Sequence, residues 1–275
     1  MALLFGPAGS PISSPAPSTA AGIGRVAELG LGCLEVEFVQ RVGMGAQTAA
    51  AVGRIAAAKG IRLSAHGPYA VNLNAKEAEK VLASRQRVLQ TARIAGLLGA
   101  EDVVFHAAFY LGDPPSEVYE RVKGHIKEMV AQLRAEGNQV RLCPEVMGKP
   151  DTQFGSLEEL LRLASEVPGV APCVDFAHLH ARSGANNSYR EFVDILEQVE
   201  KALGPKALKE MQMHVSGIEY GHRGERKHLV LKESDLHYQD LLRAFKDKGV
   251  EGAVVCESPN LEEDALLLQE TYHSL

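Results

Sequence analysis

Apolar residues along this chain fall into eight short runs, separated by longer stretches with helical spacing. The runs are Leu3–Gly6, Cys33–Phe38, Ile61–His66, Asp102–Ala107, Val140–Glu145, Ala171–Phe176, Met211–Ser216 and Ala253–Ser258. Most are apolar without strict alternation, the pattern of parallel strands buried on both faces. Between them, Lys76–Ala100, Glu117–Gly137, Ser156–Val167, Tyr189–Leu203, Asp235–Gly249 and Asn260–Tyr272 carry helical patterns. Gly137 reads as a C-terminal cap, and Ser156 with Glu159 forms the Ser-x-x-Glu signature of a capping box. Strict strand–helix alternation predicts an α/β fold, a (β/α)8 TIM barrel formed as a single domain over residues 1–275. The Pro/Ser/Gly-rich stretch Gly6–Pro17 reads as a long loop after the first strand.

Composition narrows this further. A chain of 275 residues suits a barrel, which commonly takes about 250. No apolar run approaches the roughly 20 residues needed to span a bilayer. The N-terminus lacks a basic segment before its apolar residues, so no signal peptide is expected and the expected location is cytoplasmic. Cys33, Cys143, Cys173 and Cys256 lie in or beside predicted strands without a Cys-x-x-Cys pair, and read as buried reduced thiols. No Gly-x-Gly-x-x-Gly follows the first strand, which removes support for a nucleotide cofactor. The formal charge of −6 weighs against nonspecific nucleic-acid binding, although bound cations would offset many of the acids.

The chemistry sits at the strand ends. His66, His106, Glu145, Asp175, His178, His214 and Glu257 each close or follow one of the apolar runs. In a barrel those positions converge on one rim. A carboxylate flanked by apolar residues is costly to bury unpaired, and neutral imidazoles are nitrogen ligands for zinc. The set therefore points to a polynuclear metal centre. Glu35 and Glu37 also lie in a strand, but alternation leaves open which of them faces the barrel mouth.

At these residues the chain resembles the endonuclease IV family, zinc-dependent nucleases of abasic sites, and more widely the xylose-isomerase-like barrels. The resemblance is most specific at His66-x-Pro68-Tyr69-x-x-Asn72. It continues at Phe105-His106, at Pro144-Glu145, at Cys173-x-Asp175-x-x-His178, at His214 and at Glu257. It implies that His66 and His106 hold a first zinc and that Glu145 bridges to a second completed by Asp175, His214 and Glu257. His178 and His228 would then hold a third. It also implies a catalytic role for Glu145, an aromatic wedge at Tyr69, and DNA contacts from Asn72, Arg182, Arg226 and Lys227. Two or three Zn2+ ions are expected, with Mn2+ or Mg2+ as alternatives. The expected partner is DNA carrying abasic sites, bound by a monomer.

The chain departs from the family where the third site should be completed. The family has Asp-Arg-His, whereas this chain has Gly224-Glu225-Arg226-Lys227-His228, so Arg226 takes the place of the Asp and Glu225 becomes the substitute. A divalent-metal-dependent sugar isomerase or epimerase is the alternative, because Glu145, Asp175, His214 and Glu257 alone would satisfy one ion. A non-catalytic metal-binding barrel is the third reading.

Overall fold

The computed structural model describes residues 2–275; Met1 lies outside them. Eight parallel strands form the centre: β1 Leu3–Pro7, β2 Cys33–Glu37, β3 Arg62–His66, β4 Asp102–Phe105, β5 Arg141–Pro144, β6 Cys173–Asp175, β7 Met211–Val215 and β8 Gly252–Cys256. Regular pairing gives two four-stranded sheets, ordered β1-β8-β7-β6 and β2-β3-β4-β5. Parallel bridges at Ala8–Glu35, Leu142–Val170 and Glu145–Cys173 join their edges and close the ring. The closed barrel leaves no free edge.

The outer helices are α1 Thr19–Glu28, α2 Ala46–Lys59, α3 Ala78–Leu98, α4 Pro115–Ala135, α5 Leu157–Glu166, α6 Tyr189–Leu203, α7 Tyr238–Lys248 and α8 Glu262–Ser274. Each of the six helical patterns in the sequence becomes a helix, with ends shifted by a few residues. Ser156 and Glu159 form the reciprocal capping box at the start of α5. The loop after β1 is tethered: Glu262, in the first turn of α8, accepts the Ile12 and Ser13 backbone N–H groups, both at 2.8 Å.

Two local departures from the sequence pattern matter for function. Phe176 is helical, although the apolar run predicts it as strand. The Asp175 carboxylate accepts the His178 backbone N–H at 2.7 Å and starts a short helix, Phe176–Ala181. The stretch containing Arg226 and Lys227 is an antiparallel hairpin, Gly217–Gly221 paired with Gly224–Leu229, outside all eight apolar runs.

The barrel interior is polar as well as apolar. At its lower end Asp102, fully buried, receives Arg141 through two bonds of 2.6 and 2.8 Å and Arg62 at 3.0 Å. All four cysteines are free and buried, and burial pushes the Cys33 and Cys256 thiols up to about 12. Among the described residues no helix is long and apolar enough to cross a membrane. Removing one partner of a buried charge cluster typically costs about 3–5 kcal/mol. Asp102→Ala is therefore expected to lower the urea midpoint by that order with an unchanged denaturant slope. A midpoint shift equivalent to less than about 1 kcal/mol would contradict the assigned role.

Candidate metal centre

The strand ends bring three donor groups together at the C-terminal rim: His66 with His106 and Glu145; Glu145 with Asp175, His214 and Glu257; and Asp175 with His178 and His228. Within each group the potential ligand atoms all lie within 4.8 Å of one another. Glu145 belongs to the first two groups and Asp175 to the last two, so the three form one connected cluster. His66, Glu145, Asp175, His178 and His214 are buried, while His106, His228 and Glu257 are partly open to the mouth.

Backbone carbonyls set the direction of three imidazoles. His66 Nδ1 lies 2.8 Å from the Gly67 carbonyl, His178 Nδ1 2.9 Å from that of Val146, and His228 Nδ1 3.2 Å from that of Glu257. A carbonyl only accepts, so each Nδ1 carries a proton, and Nε2 is the nitrogen left to bind a metal once the ring gives up its second proton. Those Nε2 atoms face inward. His66 Nε2 stands 3.1 Å and His106 Nε2 3.0 Å from the same Glu145 oxygen, and His178 Nε2 faces His228 Nε2 at 3.4 Å.

His214 is turned the other way. Its Nε2 lies 2.9 Å from Glu35, and its Nδ1 lies 3.4 Å from both Glu145 and Glu257. Glu35 is itself held at its second oxygen by Ser64 at 2.6 Å and Gln212 at 2.9 Å. Glu35 is thus an orienting carboxylate behind a candidate ligand, the arrangement common behind metal-binding histidines. The sequence left open which of Glu35 and Glu37 faces the mouth; two positions apart in one strand, they share a face, and that face is the interior.

The donors fit a small divalent ion such as zinc. Ligands at about 2.0–2.1 Å around a tetrahedral ion lie about 3.4 Å from one another, and the separations above run from 3.0 to 3.4 Å. Buried Glu145 Oε1, Asp175 Oδ2 and His214 Nδ1 have no hydrogen-bond partner. Orphaned buried polar atoms are rare in folded proteins, and here they face a common space. Asp175 divides its work: Oδ1 caps the short helix, which leaves Oδ2 for the centre.

Electrostatics agree with this arrangement. Burial would raise Glu145, but the His106 and His214 imidazoles beside it hold it well below the usual carboxylate range. Burial pushes Asp175 up to about 7 despite His178 nearby. For His66 burial favours the neutral ring, yet Glu37 and Glu145 overturn that and lift it to about 10.

Beside the third group, the register of the hairpin decides which side chain faces inward. In a regular strand, residues three apart face opposite sides, which would separate Glu225 from His228. The hairpin avoids this with a bulge: Glu219 pairs with Lys227 and Tyr220 with Glu225, leaving Arg226 as the extra residue. Glu225 therefore turns inward, 3.5 Å from His178 Nε2, while Arg226 and Lys227 point outward and pair with Glu219. The hairpin is seated on the loop after β5. Glu225 N–H donates to the Gly148 carbonyl at 3.1 Å, and a Cβ on Gly224 (φ +91°) would stand 2.1 Å from that same oxygen. A Cβ on Gly148 would likewise press to 2.6 Å from Glu225 Cβ.

The surface residues divide by partner. Tyr69 is about half exposed beside the His66 and His106 rings, at 5.8 and 5.5 Å. The Asn72 side-chain oxygen accepts the Asn74 and Phe109 N–H groups and so braces the turn. Arg182 donates to the Met147 carbonyl at 2.7 Å and so braces the loop carrying Gly148. Both have structural partners that the motif alone did not reveal. Arg226 and Lys227 remain exposed at the hairpin.

Barrel and rim together define a TIM barrel of the kind that gathers metal donors at its strand ends. Residues 23–272 match the xylose isomerase-like TIM barrel family, and the chain belongs to that family. It is 44% identical over 274 residues to an uncharacterised protein of Methanocaldococcus jannaschii, covering 99% of this chain and 98% of the relative. Among solved structures it is similar to endonuclease IV from Thermus thermophilus, with a TM-score of 0.72, 21% identity and 98% of each chain covered. It is equally similar in fold to a D-tagatose 3-epimerase-like protein, with a TM-score of 0.72, 16% identity and 92% and 91% of the two chains covered.

Divalent metal uptake by such a cluster competes with protons. At pH 7 the raised His66 is protonated in the metal-free protein, so zinc binding should release protons. The measured heat of zinc titration should then vary with the ionisation enthalpy of the buffer. A heat that is the same in every buffer would exclude this exchange.

Proposed function

We propose that this protein is a metal-dependent phosphodiesterase of the endonuclease IV kind, cutting DNA at abasic sites with two or three zinc ions. The observation that carries the reading is the continuity of the three donor groups through Glu145 and Asp175. One ion needs only the central quartet. The His66–His106 and His178–His228 pairs, each with Nε2 turned inward, are surplus to a single-ion site and suit a polynuclear one.

Ions in such a centre supply an activated water and stabilise the leaving oxygen of an in-line displacement. The chain's own residues do the rest. Glu145 joins two groups and keeps them close, and Asp175 joins the second to the third. Glu225, 3.5 Å from His178 Nε2, adds a second carboxylate to the third group beside that of Asp175. Ile12, Val39, Tyr69 and Leu111, large apolar residues about half exposed or more, lie on the loops after β1 to β4. Tyr69, nearest the histidines, is placed to enter the gap where a base is missing, and such a gap has no base to unstack. Arg226 and Lys227 suit contacts to the flanking phosphates.

A sugar isomerase or epimerase is the second reading. It is favoured by the sufficiency of Glu145, Asp175, His214 and Glu257 for one ion, and by the fold likeness to the D-tagatose 3-epimerase-like protein. Elemental analysis, together with cleavage of a duplex carrying one abasic site, separates the two. Two or three zinc equivalents with nicking, abolished by Glu145→Gln, are expected. One manganese or magnesium ion without nicking would transfer the assignment to sugar chemistry.

The third group has its own test. Glu225→Gln should remove close to one zinc equivalent and lower nicking by at least about tenfold, the order seen when a carboxylate supporting a metal is lost. Arg226→Ala should keep the metal. Equal metal content in both variants would remove Glu225 from the centre.

A further inference from the structure

The donor groups draw on β3 to β8 and the hairpin, which leaves the β1–β2 side of the mouth without a donor. Glu37 stands on that side. It ends β2 in register with His66, and it lies two positions beyond Glu35, hence on the same inward face. Oε1 of both Glu35 and Glu37 is buried without a hydrogen-bond partner, and neither residue belongs to the three donor groups among the described residues; but Glu35 Oε1 faces His214 Nε2 at 2.9 Å, and its other oxygen is held by Ser64 and Gln212. Glu37 lies near His66 and Tyr69, close enough to act on both electrostatically. On its other flank is Gly9, which carries no side chain to cover it; a Cβ there would lie 3.6 Å from Glu37 Cγ.

A buried carboxyl oxygen without a donor is costly unless a ligand supplies one. A phosphodiester has no proton to give. An intact DNA nucleotide has no free sugar hydroxyl either, because its 3′ and 5′ oxygens are esterified and C1′ holds the base. A ring-closed abasic sugar has one, at C1′. We propose that Glu37 accepts the hydrogen bond of this C1′ hydroxyl and so selects the abasic sugar at the metal centre. The inference rests on the phosphodiesterase reading and adds to it a specificity residue outside the metal ligands. A site built to bond a hydroxyl discriminates strongly against an analogue lacking it.

The test compares two duplexes differing only at the lesion, one with the deoxyribose abasic site and one with tetrahydrofuran, which lacks the hydroxyl. The full chain, loaded with zinc, is assayed as wild type, Glu37→Met and Glu37→Gln. Methionine keeps the length but offers only a weak acceptor, whereas glutamine keeps a carbonyl oxygen. Glu37→Met should raise KM on the deoxyribose duplex by about tenfold, in keeping with loss of a recognised hydroxyl, with little change in kcat. It should leave zinc content and tetrahydrofuran cleavage near wild type, and Glu37→Gln should recover most of the loss. Equal losses on both duplexes, loss of zinc, or no loss on either would overturn the assignment. A wild-type protein that cuts neither duplex would overturn the phosphodiesterase reading, and this inference with it.

Discussion

The rim depends on one electrostatic constraint: Glu145 and Asp175 are buried carboxylates shared among several imidazoles, with oxygens that no hydrogen bond satisfies. Charge in that position needs a counter-charge. Protonated imidazoles can supply it in the metal-free protein, and divalent cations supply it more fully once the rings are neutral. The carbonyls of Gly67, Val146 and Glu257 each hold one ring by its Nδ1. In this way the backbone of the loops fixes the polarity of the site before any ion arrives, which lowers the cost of assembling it.

That constraint explains why the lower barrel is also polar. His214 reaches the centre with Nδ1 because Glu35 faces its other nitrogen, and Glu35 can be buried because Ser64 and Gln212 hold it. Three strands thus cooperate to orient one ring. The Asp102 cluster at the opposite end performs a separate, stabilising task, joining Arg62 on β3 to Arg141 on β5. This division matches the general behaviour of TIM barrels, in which one rim carries chemistry and the other stability.

Beside the third group, hairpin register rather than residue order decides which side chain faces inward. A one-residue bulge takes Arg226 out of the inward face and puts Glu225 in. Gly224 and Gly148 allow the close backbone contact that fixes this register. Arg226 then faces outward, where it pairs with Glu219.

The sequence by itself determined the strand–helix alternation, the eight apolar runs and the acids and histidines at their ends. These are local properties, since burial on both faces makes a strand apolar and helical spacing marks the surrounding layer. It also carried the His66 to Asn72 motif and the altered stretch at Gly224–His228. Only the tertiary structure decided which nitrogen of each ring faces inward, because that depends on carbonyls distant in sequence, as with His178 and Val146. It alone showed that Glu35 and Glu37 both face the interior, that Asn72 and Arg182 brace loops, and that Glu225 reaches His178. Each of these outcomes depends on register, on a bulge or on a contact across the barrel, and the order of residues along one strand does not encode them.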